Sequence, residues 1–266
     1  MGNYTRLGPG VGQTTFVLVT PRQQFGPGAV EGHGYYSHSL QKFVWWGWIG
    51  GTPPVEEGVP RWDSSLSVAR IAEYDAGLST VGDFHGMIKF SPAAALDNLR
   101  SQLLYENSDA WVKEVSGELW LQSAEGNCID LELNVTWPNG SVPTEFGSVG
   151  LKVLGSIAGG GYEILISSGV GGSFSMNGVP LAPANSIRPR PDMLSLRVLV
   201  DRSVIESFGQ GGRASLALST YVTTNSTALV WRPSPASSIT PVFSLRVWRM
   251  RTGFDQSDAM HKIEQP

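Results

Sequence analysis

Leu194-Ser195-Leu196-Arg197-Val198-Leu199-Val200 places an apolar residue at nearly every second position, the period of a β-strand with one face against a core. Asp201-Arg202-Ser203 reads as a turn, and Val204-Ile205-Glu206-Ser207-Phe208 carries the chain back. Gly209 to Gly212 turns it once more into a strand over 213–222. Ile129-Asp130-Leu131-Glu132-Leu133-Asn134-Val135-Thr136-Trp137 alternates over nine positions. Shorter apolar runs lie at 118–122, 151–154, 162–167 and 173–176, and residues 242–250 form a closing strand. Some eight strands over ~135 residues, with turns every ~8–15 residues, are the pattern of a two-layered β-sandwich.

The front half is harder to read. Residues 14–20 read as a strand, 21–34 as a Gly/Pro-rich loop, and 35–40 and 43–49 as two strands joined by Gln41-Lys42. The stretch 50–60 (GGTPPVEEGVP) breaks the pattern, and the signal from Arg61 to Asp109 is mixed. Within it, Ala93 to Arg100 reads as a short helix with Ser91 as N-cap and Pro92 at its first position. Three strands cannot bury a face by themselves, so they must pack on the sandwich, on a partner, or on sequence outside this chain.

Composition supports an all-β chain. Glycine is 32 of 266 residues, with 17 prolines and 9 tryptophans, while charged residues are only 16%. A net charge of −4 with no basic stripe argues against nucleic acid, and no apolar run approaches the ~18 residues of a membrane-spanning helix. The one cysteine, Cys128, has no internal disulfide partner, and no Cys/His group has metal-ligand spacing. Four sequons, at Asn3, Asn134, Asn139 and Asn225, fit N-glycosylation. They suggest a secreted or vacuolar (lumenal) parent, although the start of the chain has no signal-peptide core.

The stretch Leu196 to Ala214 (LRVLVDRSVIESFGQGGRA) resembles the C-terminal sandwich signature of glycoside hydrolase family 32, the invertases, fructan hydrolases and fructosyltransferases. Upstream, Tyr35-Tyr36-Ser37 and Phe43-Val44-Trp45-Trp46-Gly47-Trp48 resemble the family's Y-Y-A-S and R-V-L-W-G-W segments near the end of its five-bladed propeller. Ser65-Leu66-Ser67-Val68-Ala69-Arg70 is a weaker echo of its L-S-L-P-R-E strand, and Pro92 to Arg100 is similar to the helix leading to the sandwich. The resemblance implies an all-β fold: closing strands of an incomplete propeller (1–60), a linker with a short helix (61–112), a C-terminal β-sandwich (113–253) and a tail (254–266). It also implies β-fructofuranosidase action on sucrose or fructans, without metal or cofactor, with a fructose-containing oligo- or polysaccharide as the partner.

Retaining hydrolysis needs two carboxylates about 5–5.5 Å apart across the scissile bond. The family motifs that supply these two, W-x-N-D-P-N-G for the nucleophile and E-C for the acid/base, and R-D-P, which supplies a transition-state-stabilising aspartate, have no counterpart here, so no catalytic residue is assigned and the chain is expected to be an inactive fragment. Its earlier blades would lie on a missing N-terminal propeller or a partner chain. A free-standing carbohydrate-binding sandwich or a non-catalytic partner subunit are the other readings. Trp137-Pro138-Asn139-Gly140 echoes the nucleophile motif without its aspartate and reads as a hairpin turn. Arg61-Trp62-Asp63 echoes R-D-P but reads as linker, and Cys128 follows Asn127 instead of glutamate.

Structural roles are expected for the residues of the strongest motif. Asp201 would accept backbone N–H bonds in its turn, and Glu206 and Arg213 would pair across a hairpin. Tyr35, Tyr36 and Trp48 either pack a blade or stack on sugar rings. His33 and Gly34 stand where relatives carry an acidic or basic residue, and His38 is expected within a strand. Trp45, Trp46 and Trp48 in one exposed stretch predict poor solubility, relieved by deleting residues 1 to about 60.

Overall fold

A computed structural model describes residues 2–6, 14–18, 29–50, 64–79, 85–110, 117–121, 123–156, 158–169, 172–181, 191–220, 224–237 and 239–251. In chain order the strands are β1 (Gly2–Arg6), β2 (Thr14–Leu18), β3 (Ala29–Ser37), β4 (Lys42–Gly50), β5 (Ser64–Leu66), β6 (Arg70–Ser79) and β7 (His85–Pro92). A 3₁₀ turn, Ala94–Leu99, leads into β8 (Arg100–Ala110), β9 (Gly117–Leu121), β10 (Cys128–Thr136), β11 (Gly147–Gly155) and β12 (Tyr162–Ser168). The chain continues through β13 (Phe174–Met176), β14 (Val179–Pro180), β15 (Met193–Asp201), β16 (Val204–Gly209), β17 (Ala214–Ser219), β18 (Ser226–Pro233) and β19 (Val242–Met250).

Two six-stranded antiparallel sheets make the sandwich. The first runs β17-β16-β15-β10-β19-β8 and the second β14-β13-β12-β11-β18-β9. Alternation decides the faces, because directly paired residues of antiparallel strands point the same way. On β10, Ile129, Leu131, Leu133 and Val135 turn inward, meeting Val198 and Leu196 of β15 and Val247 and Leu245 of β19. From the second sheet Val149, Leu151, Ile164, Ile166, Leu229 and Trp231 complete the core. Burying one such Leu or Ile side chain stabilises the fold by roughly 1.5–3 kcal/mol. Trp137 and Phe146, with ring centroids 5.4 Å apart, close one end of the core.

The front residues form a separate sheet, β3-β4-β6-β7, with β5 added beside β4. The stretch 61–112, expected as a linker, therefore holds strands: β5, β6 and β7 pair into this sheet, and β8 joins the sandwich through β19. Ser91 and Pro92 do not start a helix. They end β7, paired with Ile71 and Arg70, as suits a residue before proline, which is pushed toward extended backbone. The turn that follows is 3₁₀, is preceded by Ala93, and has no side-chain cap.

Two boundaries also move. Residues 29–34 are strand where a loop was expected, because Gly32 and Gly34 let the neighbouring rings lie across the backbone. A Cβ at Gly32 would sit 1.9 Å from Trp45. The connection between β3 and β4 is a four-residue turn, His38 to Gln41, that closes on the Ser37↔Lys42 pair with Gln41 at φ 53°. His38 thus lies in the turn, not in a strand.

Candidate functional site

The aromatic residues of the front sheet separate by strand parity. Tyr35 lies opposite Val44, His33 opposite Trp46, and Trp48 opposite Leu66. These residues share one face, on which the Tyr35 ring stacks against Trp46 at 5.6 Å and 26°. Tyr35 and Trp48 are each 52% exposed and Leu66 68%, so the face is an open aromatic surface with an imidazole at its margin. Tyr36 is not part of it. It lies opposite Phe43 on the other face, meets His38 edge-on at 5.3 Å, and donates its hydroxyl proton to Gln41 Oε1 at 3.1 Å. Trp46 takes the place that the sequence had suggested for Tyr36. The 44-46-48 spacing on β4 carried that information.

The opposite face, with Trp45, Arg70 and Phe90, packs on the sandwich. Arg70 is fully buried, its guanidinium 5.4 Å from the Trp45 ring centroid and 5.2 Å from that of Phe208, positions that favour cation–π attraction. Its Nη2 donates to Glu206 Oε2 at 2.6 Å and its Nη1 to Ser215 Oγ at 3.2 Å, while Val68 N donates to Glu206 Oε1 at 2.6 Å. Burial pushes the Glu206 carboxyl above the ordinary glutamate range, against the downward pull of Arg70 and the Val68 N–H.

The expected Glu206–Arg213 pair does not form. Across the hairpin Glu206 faces Ala217, and Arg213 sits in the turn before β17. Arg213 Nε instead donates to Asp75 Oδ2 at 2.9 Å, so Glu206 and Arg213 each reach the front sheet. Asp201 ends β15 opposite Cys128 and accepts a contact from its thiol at 3.6 Å. Burial is the largest influence raising the Cys128 pKa, and the Asp201 charge adds to it, which keeps the sulfur in the weakly nucleophilic thiol form.

A second ionic group fastens the crossing from front sheet to sandwich. Asp130, fully buried, accepts two bonds from Arg197 (Nε at 3.0 Å, Nη2 at 2.7 Å) and one from Arg100 Nε at 2.7 Å. Arg197 Nη2 also reaches Asp97 of the 3₁₀ turn at 2.7 Å. Glu132 takes Arg100 and Arg246, and the Trp248 ring lies 3.8 Å from the Arg100 guanidinium carbon and 5.2 Å from that of Arg246. Both clusters set a carboxylate in charge-assisted bonds to arginine, an arrangement suited to holding backbone in place.

The other candidates are dispersed. Asn139 is exposed in the turn at 138–141, where Gly140 N donates to Trp137 O at 2.9 Å; the stretch turns as expected but is not a hairpin, because it carries the chain from β10 of one sheet to β11 of the other. Asn225 is exposed ahead of β18, Asn134 is half-buried on the outer face of β10 between Ser195 and Ser244, and Asn3 lies in β1 opposite Val17. Arg61, Trp62 and Asp63 lie outside the described residues. Among the described residues no group of three or more His, Cys, Asp and Glu side chains is placed to hold a metal ion, and no helix is long and apolar enough to cross a membrane.

Comparison with known proteins agrees with this architecture. Residues 96–249 match the family described as glycosyl hydrolases family 32 C terminal. An acid beta-fructofuranosidase of Vicia faba is 25% identical over 255 residues, covering 83% of this chain and 39% of its own length. The vacuolar acid beta-fructofuranosidase 2 of a Rosa hybrid cultivar is 38% identical over 65 residues, 24% of this chain and 10% of its own. Among solved structures, fructan 1-exohydrolase IIa of Cichorium intybus superposes with a TM-score of 0.64 at 14% identity, over 89% of this chain and 51% of that one. The Aspergillus kawachii beta-fructofuranosidase gives 0.61 at 16% identity, over 93% and 50%. The chain thus spans well under two thirds of the length of these relatives.

Proposed function

The chain belongs to glycosyl hydrolases family 32 through its C-terminal sandwich, and on that premise we propose that it is the C-terminal portion of a β-fructofuranosidase-type glycosidase whose complete form acts on sucrose or fructans. The observation that carries this reading is the sandwich joined in one chain to a front sheet whose Tyr35, Trp46 and Trp48 lie on one open face. The parent enzyme resides in the vacuole or is secreted, in line with the vacuolar relatives and with the sequons at Asn139 and Asn225. By itself the chain is inactive. Its sequence has none of the three carboxylate motifs of the family, and its buried acids Asp130 and Glu206 are held by arginines. The reacting carboxylates would come from preceding propeller blades or from a partner chain that supplies them.

Fructose release from sucrose and inulin tests the inactive reading: the purified chain is expected to match a buffer blank, and release above it refutes the proposal. A second reading, a carbohydrate-binding module, draws on the exposure of Tyr35 and Trp48, since aromatic faces bury the apolar faces of sugar rings. Affinity electrophoresis in gels containing levan or inulin separates the two. Retarded migration that is lost in Trp48→Ser favours binding, and unretarded migration removes it.

A further inference from the structure

Among the described residues, the apolar core of the sandwich takes no member from β3 to β7: its members run from Leu121 to Val247. The front sheet nevertheless lies on the sandwich, and its contact combines aromatic rings with polar and charged groups. Arg70 is enclosed by Trp45, Phe208, Ser215 and Glu206. Phe90 N donates to Gly212 O at 2.8 Å, and Arg213 reaches Asp75. Both faces of β16 are covered: Ile205 and Ser207 look into the core, while Glu206 and Phe208 look out and are only 2% and 1% exposed. The outer face of a sandwich sheet is ordinarily wet, so the front sheet is what buries them.

We infer that the hairpin β16–β17 is the seat of the front sheet, and that the Arg70–Glu206 ion pair governs whether that sheet stays ordered while the sandwich is self-sufficient. Arg70 stands at the arginine of the echoed L-S-L-P-R-E segment and Glu206 at the glutamate of the sandwich signature, 136 residues apart. The two stretches that were separate in the sequence meet at one contact. Neither side chain reaches a sugar through this role; they act on the order of β4 and β6.

The two partners are unequal. A guanidinium cannot shed its proton in a protein, so losing Glu206 strands a buried cation. A carboxyl group can take up a proton, so losing Arg70 leaves a group that neutralises itself. Glu206→Leu is therefore the more damaging single change, Arg70→Met the milder, and the double variant Arg70→Met/Glu206→Leu recovers order because it removes both charges from an apolar enclosure.

Hydrogen exchange of the whole chain tests this. In Glu206→Leu, amides of Val44 and Ile71 are expected to exchange on the order of 100-fold faster or more, with those of Leu131 and Leu245 changing far less. Arg70→Met gives a smaller rise at the same amides, and the double variant moves back toward the native rates. Equal acceleration in both sheets, no acceleration in the front sheet, or a double variant worse than either single one overturns the inference. If Glu206→Leu yields no folded protein, Asp75→Asn and Arg213→Gln, which weaken the outer contact, must still accelerate Val44 and Ile71 selectively; their failure to do so is equally decisive.

Discussion

The backbone N–H of Phe90 donates to the carbonyl of Gly212 at 2.8 Å, joining the edge of the front sheet to the turn of a sandwich hairpin. The approach is close because Gly212 has no side chain. A Cβ there would lie 2.3 Å from Phe90 O, and the residue holds a φ of 95°, a region that L side chains rarely enter. Gly212→Ala is expected to destabilise the chain by roughly 1–3 kcal/mol, read as a lower midpoint in urea. An unchanged midpoint means that the contact is not needed.

Thr227 is fully buried and its hydroxyl oxygen has no hydrogen-bond partner among the described residues. Thr227→Val replaces that oxygen with a methyl group of similar size and is expected to stabilise by about 1 kcal/mol, because a buried unpaired polar atom is removed. Thermal unfolding reads this out, and a lowered midpoint contradicts it. The substitution also removes the sequon at Asn225, so it belongs in a host that does not glycosylate.

On the outer face of the second sheet Arg232 holds Glu163 through two bonds at 2.7 and 2.8 Å. The Arg232 bonds lower the Glu163 pKa, working against burial. A folded-state pKa below the unfolded one means that the contribution is complete above the ordinary glutamate value of about 4.3 and is lost as pH falls through the lowered folded value. The pair is partly exposed, so its worth is about 0.2–1 kcal/mol. The stability difference between native chain and Glu163→Gln should be constant from pH 8 to 5 and shrink below about pH 4. A difference that grows on acidification shows that Arg232 does not set this pKa.

The open face of the front sheet makes the chain prone to associate. Deleting residues 1 to about 60 removes Trp48 but also strips β6 of its partner β4 and takes Trp45 from Arg70, so that deletion is now expected to expose new surface. Tyr35→Ser/Trp48→Ser leaves the pairing intact and is the better remedy. Light scattering at increasing concentration should show less self-association for this double variant than for the native chain, whereas the deletion should show no improvement.

Legibility followed the dependence on distant residues. The strands β10, β15 and β19 were readable because one face alternates with the other, and Ile129, Leu131 and Leu133 announce the core without help from elsewhere. β6 and β7 were not, because Arg70 is buried only by virtue of Glu206, Trp45 and Phe208, and an arginine in a mixed stretch reads as surface. Glu206 and Arg213 were expected to pair with each other but bond Arg70 and Asp75 instead, since hairpin proximity is visible in a sequence and a partner on another sheet is not. Within the aromatic cluster, Trp45, Trp46 and Trp48 were read as one exposed stretch, although the parity of Val44, Trp46 and Trp48 could have set Trp46 apart from Trp45, and Tyr36 needed the register of β3 before it could be assigned to the other face.

Because, among the described residues, the sandwich's apolar interior draws on nothing ahead of β8, the rear half of this architecture is expected to be portable. On this inference, a rearrangement that cuts upstream of about residue 93 is expected to leave a piece that reaches its shape unaided, and one that fuses a foreign sheet in front must again cover Phe208 and supply a cation for Glu206.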